Sequence, residues 1–577
     1  MKKSTIYLLI ILGPSLGFSQ VTPGNFTGNL ETTFQYLNED SLIGASQPPE
    51  KGLLNSYMNI FYTQGNFKAG MRFESYLPRI QGYPSNFDGT GLGMRYVGYT
   101  NDFIDITLGS IYEQFGTGLS LRTYEDRALG YDNMLDGMRI VVRPAKGAVI
   151  KAVYGYQRYA FLDGRIEHSE GIVRGIDGEI HLNETIKKLA NKKLDIVIGA
   201  SFVSKYQIDD YSTLILPENV GTYGGRVKVR YGKFTFDGEY VTKGQDPSQD
   251  NGYIFNTGHA AVANLGYSQK GLGILVSAKS ADNMSYRSDR TKQLQNVLIN
   301  YLPSLNKTHT YNLVASLYPY ATVPVGEIAY QAEVLYSFKK GSKIGGKYGT
   351  SVNLNYSSAY RPMRHTAGIN PLDSTGVTYT SGPFDMSDSL YWRDINFNIT
   401  KKFNKNFNLI FSYFNIVLNN DVATVTKEVG LIKSNVVVLE LGYKFNNKQS
   451  IRVEAQTLFV NRRDTLENDV RLFDVRNQNS ISYRDARAVD KGDWATLLIE
   501  YTINSHWFVS AMDQYNFGNQ DRHHRTHHPY FNVGYIREAT RFTLGYGRQR
   551  AGLFCVGGVC RPVPASNGLT VSLTHSF

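Results

Sequence analysis

No run of eighteen or more apolar residues occurs in this 577-residue chain, and a membrane-spanning helix needs such a run, so a helical membrane protein is excluded. Glycine-rich spots such as Gly345-Gly346 lack the Lys-Ser/Thr that would hold phosphate and magnesium. The GxSxG turn of serine hydrolases is absent. Cysteine is nearly absent: the chain has two, Cys555 and Cys560, and none follows the N-terminal apolar segment, which argues against a lipoprotein anchor. Low-complexity tracts and multi-domain linkers are also missing. These absences leave no enzyme signature and no cofactor site.

What is present is aromatic and glycine-rich: 41 Tyr, 30 Phe and 55 Gly. These residues favour strands, interfacial girdles and tight hairpins. Hydrophobic residues make up 42% of the chain and mean hydropathy is −0.31. A polar average is compatible with a membrane barrel, in which only alternate residues face lipid. The formal net charge of +11 is scattered over the chain rather than gathered in a patch, so nucleic acid is not expected as a partner.

The N-terminus reads as a processing segment. Lys2 and Lys3 form a basic start, Ile6–Leu12 an apolar stretch too short to span a bilayer, and Gly17 and Ser19 the small residues before a cut at Gln20. The expected organisation is a signal peptide over 1–19 and a single barrel over 20–577. Export makes a Cys555–Cys560 disulfide the preferred reading over a redox or metal pair.

From Phe26 onward, apolar and polar residues alternate in segments of about ten, the length that a tilted membrane strand needs. Phe67, Ala69, Met71 and Phe73 alternate with Lys68, Gly70, Arg72 and Glu74; Ile451, Val453 and Ala455 alternate with Arg452, Glu454 and Gln456. Period two places each set on one face of a sheet. Short turns such as 64–65, 232–233 and 504–505 alternate with long loops such as 113–133, 359–389 and 461–492. A soluble sandwich has no reason to sort its connections this way. The expectation is an all-β, up-and-down antiparallel transmembrane barrel of about 24 strands, within roughly 22 to 26, running from 26–37 to 569–577, with strands at 147–158 and 172–183 separated by a loop. Periplasmic turns are short and extracellular loops long.

The inward faces are expected to carry Arg72, Glu74, Lys151, Arg226, Lys228, Arg230, Asp237, Glu239, Arg452 and Glu454, because a charge facing lipid costs about 2–4 kcal/mol at the midplane. They line either a water-filled lumen or a set of interior ion pairs. Two stretches break the pattern. Asn183–Lys193 reads as a short helix. Residues 282–325 form a loop-side insert, in which Leu294, Val297, Leu298 and Tyr301 stand at helical spacing before Pro303. That helix lies either on the loops or in the barrel mouth as a constriction. The strand pattern begins too early for an N-terminal plug domain of the kind that energy-coupled transporters carry. His523, His524, His527 and His528 are a weak candidate metal site, with Arg522 and Arg525 opposing a cation.

The last strand, Leu569 to Phe577, alternates and ends in Phe577. It resembles the terminal signal read by the outer-membrane barrel assembly machinery, with His575 a mild departure. The segments Gly28–Tyr36, Phe73–Pro78, Gly91–Tyr96 and Ser120–Arg127 resemble a porin-like family of Bacteroidota outer-membrane barrels of unknown function. That resemblance implies the fold and a Gram-negative outer-membrane location, and implies no activity. Three functions follow as expectations: a passive channel for small hydrophilic solutes, a non-conducting scaffold, adhesin or secretion-system partner acting through its long loops, and a rim hydrolase for which no constellation is present. Lipid, the assembly machinery and small solutes are the expected partners, with an outer-membrane protein as the partner in the scaffold alternative.

Overall fold

The computed structural model describes residues 24–190, 192–210, 213–366, 379–419, 431–461, 492–519, 522–556 and 559–577. The segment read as a signal peptide lies outside them. Twenty-four strands form one sheet: β1 (Asn25–Asn38), β2 (Gly52–Gln64), β3 (Phe67–Tyr76), β4 (Gly89–Thr100), β5 (Ile104–Ile111), β6 (Leu135–Ala145), β7 (Ala148–Leu162) and β8 (Arg165–His181). There follow β9 (Leu194–Tyr206), β10 (Asn219–Tyr231), β11 (Phe234–Lys243), β12 (Gly258–Gln269), β13 (Leu272–Asp282), β14 (Gly326–Phe338), β15 (Thr350–Pro362) and β16 (Met386–Lys402). The last are β17 (Phe407–Asn419), β18 (Leu431–Lys444), β19 (Ser450–Asn461), β20 (Trp494–Thr502), β21 (Trp507–Tyr515), β22 (Tyr530–Arg537), β23 (Thr540–Gln549) and β24 (Ser566–Ser576).

Each strand pairs antiparallel with its sequence neighbours, and β24 returns to pair with β1, Asn29 opposite Ser576 and Tyr36 opposite Leu569. Gly28 and Phe577 exchange both backbone bonds, at 2.8 and 2.9 Å. The ring is therefore closed and has no free edge, so ladder bonds satisfy the strand backbones without water.

The alternation sorts side chains as chemistry demands. On β3, Phe67, Met71 and Phe73 are exposed on the outside while Arg72, Glu74 and Tyr76 are buried inside. Outward-facing Ile198, Leu265, Leu335, Leu497 and Leu544 continue the apolar belt around the ring. At the turn end, rings pair across neighbouring strands, as in Phe67–Tyr99 at 5.1 Å and Trp507–Tyr535 at 4.7 Å. Left-handed Gly65 and Gly232 close two of the short turns on that side.

Three expectations need correction. The connection between β7 and β8 is not a long loop but a two-residue turn, Asp163-Gly164, both with positive φ. β8 thus begins seven residues before the expected 172. Its tip, Arg165 to Glu170, carries a single apolar residue, Ile166, so the alternation signal vanishes while the ladder continues. Second, Asn183–Lys193 is not one helix: among its described residues the helix is confined to Leu182–Thr185. Third, no helix spans 291–302; Leu294 and Val297 both have positive φ. The carbonyls that a helix would use accept elsewhere: Leu294 O and Asn296 O from Arg287, at 2.5 and 2.7 Å, and Leu298 O from Asn133 and Gln157, at 2.7 and 2.8 Å. Long-range donors override the helical spacing. A helix does form in the same insert, further on, at Asn312–Leu317.

The outward face gives a direct prediction. Leu544 sits mid-strand on that face, 39% exposed and flanked across the ladder by Val533 and Val571. Leu544→Arg should lower unfolding free energy in lipid vesicles by about 2–4 kcal/mol, read by denaturant titration, whereas the same change in water-exposed surface would cost close to nothing.

Candidate functional site

A ring of twenty-four strands encloses a bore too wide for its own side chains to fill. Two loop-side inserts enter it: residues 112–134, between β5 and β6, and 283–325, between β13 and β14. The sequence reading, which found no plug domain before the first strand, missed this one because it is built from connections within the barrel.

Charge anchors the first insert. Arg72 of β3 donates through Nε to Glu74 (2.7 Å), through Nη1 to Glu125 (2.7 Å) and through Nη2 to Asp132 (3.0 Å). Arg158 of β7 donates to both oxygens of Glu74, at 2.7 and 2.9 Å, and to Asp132 at 2.9 Å. Tyr76 also donates to Glu74 Oε2, and Tyr112 donates to the remaining carboxylate oxygen of Asp132. Elsewhere Arg139 and Lys151 hold Glu113 at 2.5 and 2.8 Å, and Glu239 accepts the backbone N–H of Thr117 at 2.6 Å.

The second insert is tied to the wall through both its backbone and its side chains. Lys243 Nζ donates to Ser285 O (2.7 Å), Lys279 Nζ to Pro303 O (2.7 Å) and Tyr286 Oη to Val220 O (2.8 Å). Further round, His309 meets Asp394 of β16 at 2.7 Å, and Leu313 N donates to Gln456 of β19 at 3.1 Å. Gln514 of β21 reaches Asn312, and Arg550 reaches Ser316. The inserts also bond each other: Arg122 N donates to Ile299 O at 2.8 Å, and Tyr301 N to Gly118 O at 2.9 Å. Arg122 lies 4.1 Å from the Tyr301 ring centre.

Apolar packing adds to these anchors. Ile299 packs with Val153, Val173 and Val203 of the wall, and Leu302 with Val241 and Val262. Leu313 and Val314 join Trp392, Phe414 and Val436 on the opposite side. Among the loop residues, Asp246 illustrates how the interior balances charge. Burial pushes its carboxyl up, yet Lys205 at 2.6 Å and Lys243 at 3.4 Å hold it below the usual carboxylate range. Burial raises the Tyr286 phenol well above its ordinary value, so it remains a neutral donor.

The expected lumen residues therefore divide. Arg72, Glu74, Lys151 and Glu239 hold the plug. Arg226 is neutralised on the wall by Asp177 at 2.6 Å and Glu179 at 3.0 Å. Lys228 stands opposite Asp237 in register, and Arg230, next along that face, is exposed toward the turn end. Arg452 forks between Glu440 and Glu500 at 3.1 and 2.6 Å and also contacts Glu454. The positive strand face thus carries no uniform anion-attracting charge. Of the expected constriction residues, Val297 is buried, Leu298 and Tyr301 are half-buried, and Leu294 is 78% exposed. The sequence reading overlooked Asp132, Arg158, Lys243 and Lys279; the last three continue the inward alternation at the loop-side ends of their strands.

The histidines are not gathered. His527 stacks on Tyr515 and pairs with Asp513 at 2.6 Å, His528 is buried against Trp494, and His523 and His524 lie exposed on a single short turn. No group of three metal-ligating side chains occurs among the described residues. Cys555 is disulfide-bonded and faces Cys560, the other cysteine of the chain, across a hairpin of 552–556 and 559–563.

Above the plug, on the loop side, lies a cavity of about 810 Å³. Its walls are the 82–87 loop, the 129–133 turn, the 294–297 turn of the second insert, and the C-terminal hairpin.

These features define a large closed antiparallel barrel with a plug made from its own loops. The chain belongs to the family of unknown function DUF6029, whose model matches residues 1–577. No curated protein matches it. Among solved structures it is similar to the P pilus usher PapC translocation pore, at 9% identity and a TM-score of 0.42 over 96% of this chain and 99% of that one. It is also similar to the outer-membrane protein opdK of Pseudomonas aeruginosa, at 11% identity and 0.34 over 76% and 97%. A third likeness is to a ferric enterobactin receptor of the same organism, at 9% and 0.42 over 96% and 80%. Likenesses this slight say nothing about substrate or partner.

Two tests follow. Glu74→Ala removes the carboxylate that Arg158 and Arg72 share and leaves Asp132 and Glu125 as their counter-charges; it should cost about 3 kcal/mol of stability, measured by denaturant unfolding. Thiol titration of denatured, unreduced protein should find no free cysteine, and two after reduction.

Proposed function

We propose that the protein is an outer-membrane barrel, closed in its resting state, that acts as a gated conduit for small hydrophilic solutes rather than as an open diffusion pore. The apolar belt and the turn-end aromatic rings match a lipid bilayer with the long loops facing the exterior. The strand ending in Phe577, which closes the ring, suits recognition by the assembly machinery. The observation that carries the reading is the bonding of the second insert to wall strands from β10 to β21. A bore sealed on so many sides passes little current until the insert moves.

The second reading, a non-conducting scaffold, draws on the same bonding, since a plug so widely anchored also serves a barrel that never opens. Planar-bilayer recording separates the two. The conduit reading expects insertion with negligible conductance for the intact protein and stepwise conductance after deletion of 291–302. A deletion variant that inserts and stays silent would favour the scaffold. An intact protein that conducts steadily would refute the closed state.

A further inference from the structure

The cavity above the plug has a wall that folding alone does not account for. Leu294 is held at φ 58° and Val297 at φ 47°, a region that side chains, and β-branched ones above all, rarely occupy. Arg287, itself buried, clamps the turn: its Nη1 and Nη2 hold Asn296 O and Leu294 O, its Nε donates to Ser285, and Asp250 pairs with it at 3.2 Å. The result is an apolar Leu294 side chain presented to solvent on the cavity wall. Strain of this kind gathers at ligand clamps.

The lining defines what would fit. Pro562 on the facing hairpin and Pro564 just after it are exposed, while Tyr159, with Lys292 Nζ 4.5 Å over its ring, and Tyr131, against Tyr124 at 4.8 Å, are half-buried around the same space. Flat ring faces of this type stack on rings and on the C–H face of sugars. The charged groups at the cavity are already matched. Asp132 accepts from Arg72 and Arg158, and Arg561 donates to Ala128 O at 2.8 Å and Gly82 O at 2.5 Å. One donor is left over: Nε of Arg158, buried in the lining, has no hydrogen-bond partner among the described residues. A volume of about 810 Å³ lies in the range that encloses a small-molecule ligand.

We propose that this cavity is a binding site for an uncharged, ring-bearing solute that carries an acceptor oxygen, stacked against Leu294 and the prolines with its oxygen toward Arg158. The site goes beyond the conduit reading and does not require it: the solute is captured on the exterior face whether or not the plug opens.

The test uses the full chain in lipid nanodiscs and equilibrium dialysis of phenyl β-D-glucopyranoside. Methyl β-D-glucopyranoside and benzyl alcohol separate the sugar ring from the aromatic ring, and phenyl phosphate and benzylammonium are the charged controls. Saturable binding of at least one neutral probe is expected, with both charged controls weaker. Leu294→Gly suits the left-handed backbone and removes the apolar face, so it should fold as the native chain does while weakening binding by about tenfold. Leu294→Asp should weaken it at least as much. No saturable binding of any neutral probe at millimolar concentration would overturn the proposal. So would binding unchanged in both variants, or a preference for a charged control. Silence of the deletion variant in bilayer recording would leave this result standing, so the two readings fail separately.

Discussion

Ring closure is the constraint on which everything else depends. A strand in lipid must have both edges paired, and the pairing of β24 with β1 removes the last free edge. At twenty-four strands, closure also creates a wide bore, and the bore must be filled with water, with side chains or with more chain. This protein uses more chain. The insert between β13 and β14 lies across the bore, and the shorter one between β5 and β6 packs beside it.

The way the inserts are held explains the unusual interior. A loop inside a barrel has backbone groups that no ladder satisfies, and each one buried without a partner costs free energy. The wall supplies the missing partners with long side chains: Lys243, Lys279, Gln157 and Gln456 all reach insert backbone atoms. Those lysines must in turn be neutralised, which Asp246 and Glu327 accomplish. The carboxylates Glu74 and Asp132 perform the same service for Arg72 and Arg158. Buried ion pairs add little net stability over apolar packing, but breaking one is expensive. They therefore act mainly to specify a single seating of the plug. Backbone strain at Leu294 and Val297 falls in the part of the second insert that borders the outer cavity, beside the anchor that Gln157 makes to Leu298 O.

The barrel was legible in the sequence because its signal is local. Alternation along β3 or β19 needs no knowledge of partners, and short turns against long loops marked where one strand gives way to the next, so the strand number followed. Local signals failed where bonding is distant. The 291–302 stretch has helical spacing, yet its carbonyls are claimed by Asn133, Gln157 and Arg287. The tip of β8 lost its alternation and so read as loop. Inward charges such as Arg72 and Arg452 were legible as inward, but which carboxylate each would meet was not, because those partners lie on other strands or on the inserts. His527 and His528, adjacent in sequence, meet different neighbours once the loop is folded, Tyr515 and Asp513 for the first and Trp494 for the second.

The central claim is that the second insert is a fixed part of the bore and not a loop lying over it. Hydrogen exchange of the native barrel in nanodiscs tests this at individual amides. Ile299 N donates to Tyr286 O at 2.8 Å and Tyr301 N to Gly118 O at 2.9 Å, both inside the ring. The account predicts that these two amides exchange as slowly as those of the neighbouring strands β9 and β13. Exchange at the rate of an exposed loop would contradict it.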